Sequence, residues 1–175
     1  MKYMKYYLYA IIAFILDQVT KWIIVKKVTL GEEHPVIGDF FMITSHRNRG
    51  AAFGILQNQR WFFIVITTIV LIGIVWYLRK TAREDKVLLS FALSLLLGGA
   101  FGNFVDRALF AEVVDFFQFT FVFSFFGTDV DYIFPIFNVA DSCIVVGVIL
   151  IFLDSILTAR KEKKGALHEH KPDLT

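Results

Sequence analysis

The chain has 175 residues, 57% hydrophobic and 19% charged, with a mean hydropathy of +0.62. That is too apolar for a soluble domain of this size to hide in one core, and it predicts a small polytopic membrane protein. The net charge of +2 comes without the concentrated basic face that nucleic-acid binding needs, and the one cysteine, Cys143, excludes an intrachain disulfide and a cysteine-based metal cluster.

The first apolar segment, residues 6–25, follows Lys2 and Lys5 and begins like a secretory signal. Asp17-Gln18-Val19-Thr20-Lys21 stands where a small-residue cleavage site would fall, so the segment is read as a retained span. Asp17 and Lys21 are spaced i, i+4 and share a helix face; they form either a structural ion pair that orients this span or part of a site. Residues 28–60 are too long for a turn. Phe40-Phe41-Met42-Ile43-Thr44, between Gly38-Asp39 and Asn48-Arg49-Gly50, predicts a short sheet on the outer membrane surface. Residues 61–78 carry no charge, and at about 1.5 Å per residue they nearly cross a ~30 Å hydrocarbon core. Residues 87–105 are the third span, with Asn103 as its strongly polar side chain and a G-x-x-x-G spacing at Gly98 and Gly102 that admits a close helix neighbour. Residues 139–157 are the fourth, with Asp141 near one end and Asp154 near the other.

Lys and Arg cluster before span one, between spans two and three (Arg79, Lys80, Arg83, Lys86) and after span four (Arg160, Lys161, Lys163, Lys164), which places both termini in the cytoplasm. Lys26, Lys27, Arg47, Arg49 and Arg60 in the first outer connection run against that rule, while the second, with Arg107 alone, agrees with it. The polar stretch 159–175 reads as a flexible cytoplasmic tail, set apart from a four-span domain of residues 1–158.

Two runs then place an aspartate at the border of an apolar segment: Glu112-Val113-Val114-Asp115-Phe116 and Phe137-Asn138-Val139-Ala140-Asp141-Ser142. Charge near hydrocarbon is costly, so each is a functional-site hypothesis. Taken singly, Asp141 is accounted for by the dipole of a helix that Asn138 caps, and Asp115 by a solvated loop. Taken together with Asn103, Arg107 and Asn138 at one membrane depth, they suggest a dyad. Arg107, one turn beyond Asn103 and beside Asp106, is either an interfacial anchor or a group that neutralises a carboxylate or holds a substrate carbonyl. Two close carboxylates cannot easily both ionise, so one keeps a proton, an arrangement suited to peptide hydrolysis. The histidines His34, His46, His168 and His170 are scattered, and no metal or other cofactor is expected. Ser45 and His46, adjacent on a probable strand, point to opposite faces and make a poor nucleophile pair.

Five ordered blocks resemble the lipoprotein signal peptidases, the bacterial type II signal peptidases: Asp17 to Lys21, Asn48-Arg49-Gly50-Ala51-Ala52-Phe53-Gly54, Gly102-Asn103-Phe104-Val105-Asp106-Arg107, Val113-Val114-Asp115-Phe116, and Phe137 to Ser142. The resemblance implies a four-transmembrane-helix bundle in the bacterial cytoplasmic membrane, with a small extracytoplasmic β-cradle and a mobile helix in the first outer connection. It implies an aspartic endopeptidase that cuts prolipoproteins before a diacylglyceryl-modified cysteine at the outer leaflet, with Asp115 and Asp141 as the catalytic pair. It further implies that no metal is used and that globomycin binds at the site. Asp17, Lys21, Asn48, Gly50, Asn103, Arg107, Asn138 and Ala140 match positions that support or line it. The competing reading is a small channel or transporter whose acids line a polar path. Residues 118–134 are long and phenylalanine-rich for the family. Their period-two alternation, with a turn expected at Gly127-Thr128-Asp129, marks either an interfacial flap beside the entry route for the lipidated substrate or a passive insertion.

Overall fold

A computed structural model of the chain describes residues 3–50, 55–125 and 128–169. Four helices, α1 (Met4–Lys27), α2 (Arg60–Arg83), α3 (Val87–Phe110) and α4 (Val139–Glu169), are interleaved with strands β1 (Glu33–Ile37), β2 (Phe41–Asn48), β3 (Val113–Phe125) and β4 (Thr128–Ile133). All four helices contain a stretch long and apolar enough to cross a membrane. Helices α1, α2 and α3 outrun their sequence-predicted bounds by a few residues at one or both ends and α4 by twelve at its C-terminus, where the flanking lysines and arginines are good helix formers.

Helix α3 is the centre of the bundle and packs against α1, α2 and α4. Its small residues allow this. A methyl group at Gly98 would meet the Ala10 carbonyl of α1, and one at Gly99 the Ala140 carbonyl of α4, so the two glycines admit neighbours on different faces. Gly102 would meet a carboxylate oxygen of Asp17. Outward faces carry large exposed apolar side chains such as Ile15, Ile69, Ile72 and Phe152, as a lipid-facing surface requires.

The strands form one antiparallel sheet in the order β1-β2-β3-β4. The expected sheet in residues 28–60 is therefore half of the observed one; the other half comes from the long phenylalanine-rich segment. Pairing of β2 with β3 sets His46 opposite Asp115 and Asn48 opposite Val113, with a bulge between Ile43 and His46. Phe40 and Phe41 pack on Phe117, Phe119 and Phe121, the cross-strand aromatic contacts that fix register. Thr128 opens β4 rather than forming a turn, pairing with Phe125; Gly127 lies outside the described residues. No helix precedes α2 among the described residues of the first outer connection; the motif residues Ala51, Ala52, Phe53 and Gly54 lie outside them. The expected flexible tail is helical as far as Glu169, since Ala159-Arg160-Lys161-Glu162-Lys163-Lys164 is strongly helix-forming and prolongs α4 beyond the apolar span.

Ala111, at the end of α3, adopts a left-handed φ of 60° while its N–H still bonds to the Arg107 carbonyl at 3.2 Å. This reverses the chain into β3 and brings Asp115 back over the end of the bundle.

Candidate active site

Asp115 is the third residue of β3, 2% exposed, not a solvated loop residue. Its Oδ1 accepts from Asn138 Nδ2 at 2.7 Å and its Oδ2 from Asn48 Nδ2 at 3.0 Å. Asn48 is held in turn by β2 and by the Gly50 N–H, which donates to its Oδ1 at 2.9 Å. Asp141 is partly exposed in the first turn of α4. It closes a reciprocal cap with Asn138: the Asn138 N–H donates to Asp141 Oδ2 at 3.2 Å, and the Asp141 N–H to Asn138 Oδ1 at 2.9 Å. The cap satisfies helix-end donors, and the helix dipole favours negative charge there.

Asn138 is thus bonded to both aspartates. It is fully buried, and its amide also reaches Asn103 Oδ1 at 3.2 Å and the Val114 carbonyl at 3.3 Å. Asn103 Nδ2 donates to Asp141 Oδ1 at 2.8 Å. Burial, followed by the nearby Asp141 carboxylate, pushes Asp115 from the ordinary 3.8 up to about 7, against the opposing pull of the Asn48 and Asn138 amides.

Beneath the pair lies a second cluster. Lys21 Nζ donates to Asn103 Oδ1 at 2.8 Å and forms ion pairs with Asp17 Oδ2 at 2.8 Å and Asp106 Oδ2 at 2.7 Å. Asp17 Oδ1 accepts the Ala140 N–H at 2.9 Å. The ion pair read from the i, i+4 spacing is present and joins α1 to α3 and α4, and through Asn103 it touches the residue that holds Asp141. Sequence reasoning passed over two members. Asp106 was noted only as a neighbour of Arg107, and Gln18, which donates to Asp106 Oδ1 at 2.9 Å, was not singled out. The signal was available: a buried ammonium needs three acceptors, and Asp17 supplies one.

Arg107 is bonded to the chain itself. Its Nη2 donates to the Gly50 carbonyl at 2.9 Å, and its guanidinium lies 4.6 Å from the centre of the Phe63 ring. Arg60 braces the same corner through the carbonyls of Arg107 and Ala108. All ten residues expected at the site are therefore linked in one network around the dyad. Ser45 is buried and His46 exposed on β2, which leaves them on opposite faces. No group of three or more metal-ligating side chains forms among the described residues.

Residues 9–157 match the family described as Signal peptidase (SPase) II. The chain belongs to that family. It is 54% identical over 162 residues to the lipoprotein signal peptidase of Bacillus pumilus (strain SAFR-032), spanning 93% of this chain and 99% of that one. The corresponding protein of Bacillus subtilis (strain 168) is 49% identical over 161 residues, 92% and 99% of the two chains. Two solved structures share the fold, both described as a bacterial membrane enzyme structure obtained by the in meso method. One, at 2.3 Å, is 43% identical with a TM-score of 0.75 over 91% of each chain; the other, at 1.9 Å, is 45% identical with a TM-score of 0.69 over 85% of this chain and 90% of that one. Membership of a peptidase family makes the chain a hydrolase of the membrane and removes the channel or transporter reading.

Proposed function

We propose that the chain is an aspartic endopeptidase that removes signal peptides from diacylglyceryl-modified prolipoproteins, cutting before the lipidated cysteine, with Asp115 and Asp141 as the catalytic pair. The observation that carries this reading is Asn138, whose side chain donates to Asp115 and whose N–H donates to Asp141. One residue thereby fixes two carboxylates relative to each other. Asp115, buried and pushed up to about 7, holds the shared proton. Asp141, partly exposed in the first turn of α4, acts as the base. Asp141 takes a proton from the attacking water as the water oxygen bonds to the scissile carbon, while Asp115 protonates the carbonyl oxygen; the proton gained by Asp141 then goes to the leaving nitrogen as the C–N bond breaks, and the carbonyl reforms with its proton returning to Asp115.

The family and the four apolar helices support a place in the bacterial cytoplasmic membrane, and the Lys and Arg distribution favours cytoplasmic termini with the sheet and dyad at the outer leaflet. Residues 1–158 then constitute the peptidase unit and 159–175 a cytoplasmic extension. Phe121, Val122, Phe123, Tyr132 and Ile133, exposed on the β3–β4 hairpin, suit contact with headgroups and acyl chains, consistent with a flap beside the entry of a lipidated substrate. A globomycin-type inhibitor is expected at the same dyad.

The test is cleavage of a diacylated precursor in detergent containing EDTA. The parent cleaves at full rate in chelator. Asp115→Asn and Asp141→Asn each lose about 10²–10⁴-fold, and Asp131→Asn, on β4, retains activity. Near-parental cleavage by either dyad variant defeats the assignment.

A further inference from the structure

At the end of the bundle away from the dyad, α1 and α2 both lean on α3 and leave an open groove between them. It has a volume of about 1140 Å³ and is lined along its length by apolar side chains including Tyr7, Phe14, Trp76 and Phe101. Its lining runs from Tyr7 to Ile15 on α1 and from Leu71 to Arg83 on α2, about 12–18 Å at the helical rise, which is the depth of roughly one leaflet of a ~30 Å core. Arg79, Lys80 and Arg83 close one end. The carboxylate there, Glu84, is paired with Lys86 at 2.8 Å, so the end is net cationic. Arg79 Nε donates to the Tyr7 hydroxyl at 3.0 Å, which fixes the guanidinium at the mouth of the groove. Lys80 Nζ lies 5.9 Å from the centre of the Trp76 ring, where an aromatic face holds the ammonium at the level of the interface.

We infer that this groove is a binding site for one anionic phospholipid of the inner leaflet, its acyl chains along α1, α2 and α3 and its phosphate held by Arg79, Lys80 and Arg83. A long apolar slot capped by several cations at one interface is complementary to a negatively charged headgroup on acyl tails. It opposes the other apolar candidate, the signal segment of a precursor, because such segments carry their own positive charges at that interface. The cationic end that binds the headgroup lies at the opposite end of the helices from the dyad, so the site does not depend on the catalytic assignment.

Native mass spectrometry of the detergent-purified full chain, with phosphatidylglycerol and phosphatidylcholine of identical chains, tests this. Phosphatidylglycerol is expected to be retained in preference by on the order of tenfold to a hundredfold. The combined change Arg79→Gln, Lys80→Gln and Arg83→Gln abolishes the preference while precursor cleavage in detergent continues. Leu71→Trp, which fills the slot and keeps the charges, lowers retention of both lipids. Equal retention of the two lipids by the parent, or a preference that survives the triple change, overturns the site. Displacement of bound phosphatidylglycerol by a precursor peptide that crosslinks to Trp76 reassigns the groove to substrate and overturns it as well.

Discussion

Replacing Asp115 by asparagine should remove activity and, at alkaline pH, strengthen the fold. The aspartate sits at 3.8 in an ordinary setting and at about 7 here, so between those values the native state binds a proton that the unfolded chain has released. Its contribution to stability is complete below about 3.8, declines as pH rises and is lost above about 7. At ~1.36 kcal/mol per pH unit the accumulated cost is roughly 1.5–2 kcal/mol at pH 5 and about 4 kcal/mol at pH 8. Asparagine cannot ionise and escapes this cost. It offers one acceptor where the carboxyl offers two, so a bond from Asn48 or Asn138 is lost at about 1–3 kcal/mol, but that loss is the same at both pH values. Relative to the parent, Asp115→Asn should therefore gain about 2–3 kcal/mol between pH 5 and pH 8. For a chain of this size that is a change of roughly 5–10 °C in the Tm difference, readable from tryptophan fluorescence during thermal unfolding in detergent. A Tm difference between variant and parent that is the same at pH 5 and pH 8 would refute the reasoning. In an Asp141→Asn background the effect should shrink, because the Asp141 charge is the second cause of the shift.

Lys21→Met leaves Asp17 and Asp106 facing each other without a cation; breaking a buried ion cluster in this way costs about 3–5 kcal/mol, and a Tm within a degree or two of the parent would contradict the contacts described. Arg107→Lys keeps the charge but not the fork that holds the Gly50 carbonyl against Asn48, so cleavage should fall by more than any loss of Tm accounts for; wild-type turnover would make Arg107 a simple interfacial anchor. Replacing residues 122–131 by a short polar turn should raise KM for a diacylated precursor more than it lowers kcat, and unchanged values for both would make the hairpin a passive insertion.

The spans were legible because each is a long, predominantly apolar segment with few charges, and the cap at Asn138 because Asn and Asp three residues apart form a local pattern. The pairing of β2 with β3 was not, since it joins residues some 70 positions apart, and the Asn48 to Asp115 bond appears only once that pairing is made. The same non-locality hid Asp106 and Gln18, since Asp106 lies on α3 while its partners Lys21 and Gln18 lie on α1. What the network adds is a reason for the choice of amides. Four carboxylates, Asp17, Asp106, Asp115 and Asp141, converge here, and the ammonium of Lys21 is taken up by two of them. Among the described residues no lysine or arginine pairs with Asp115 or Asp141; Asn48, Asn103 and Asn138 hold them instead. A cation at any of these three positions would favour the charged form of the carboxylate beside it and work against a proton on Asp115. Neutral amides fix the geometry while leaving the excess negative charge to be met by a proton on Asp115, which is the proton that the proposed hydrolysis would use.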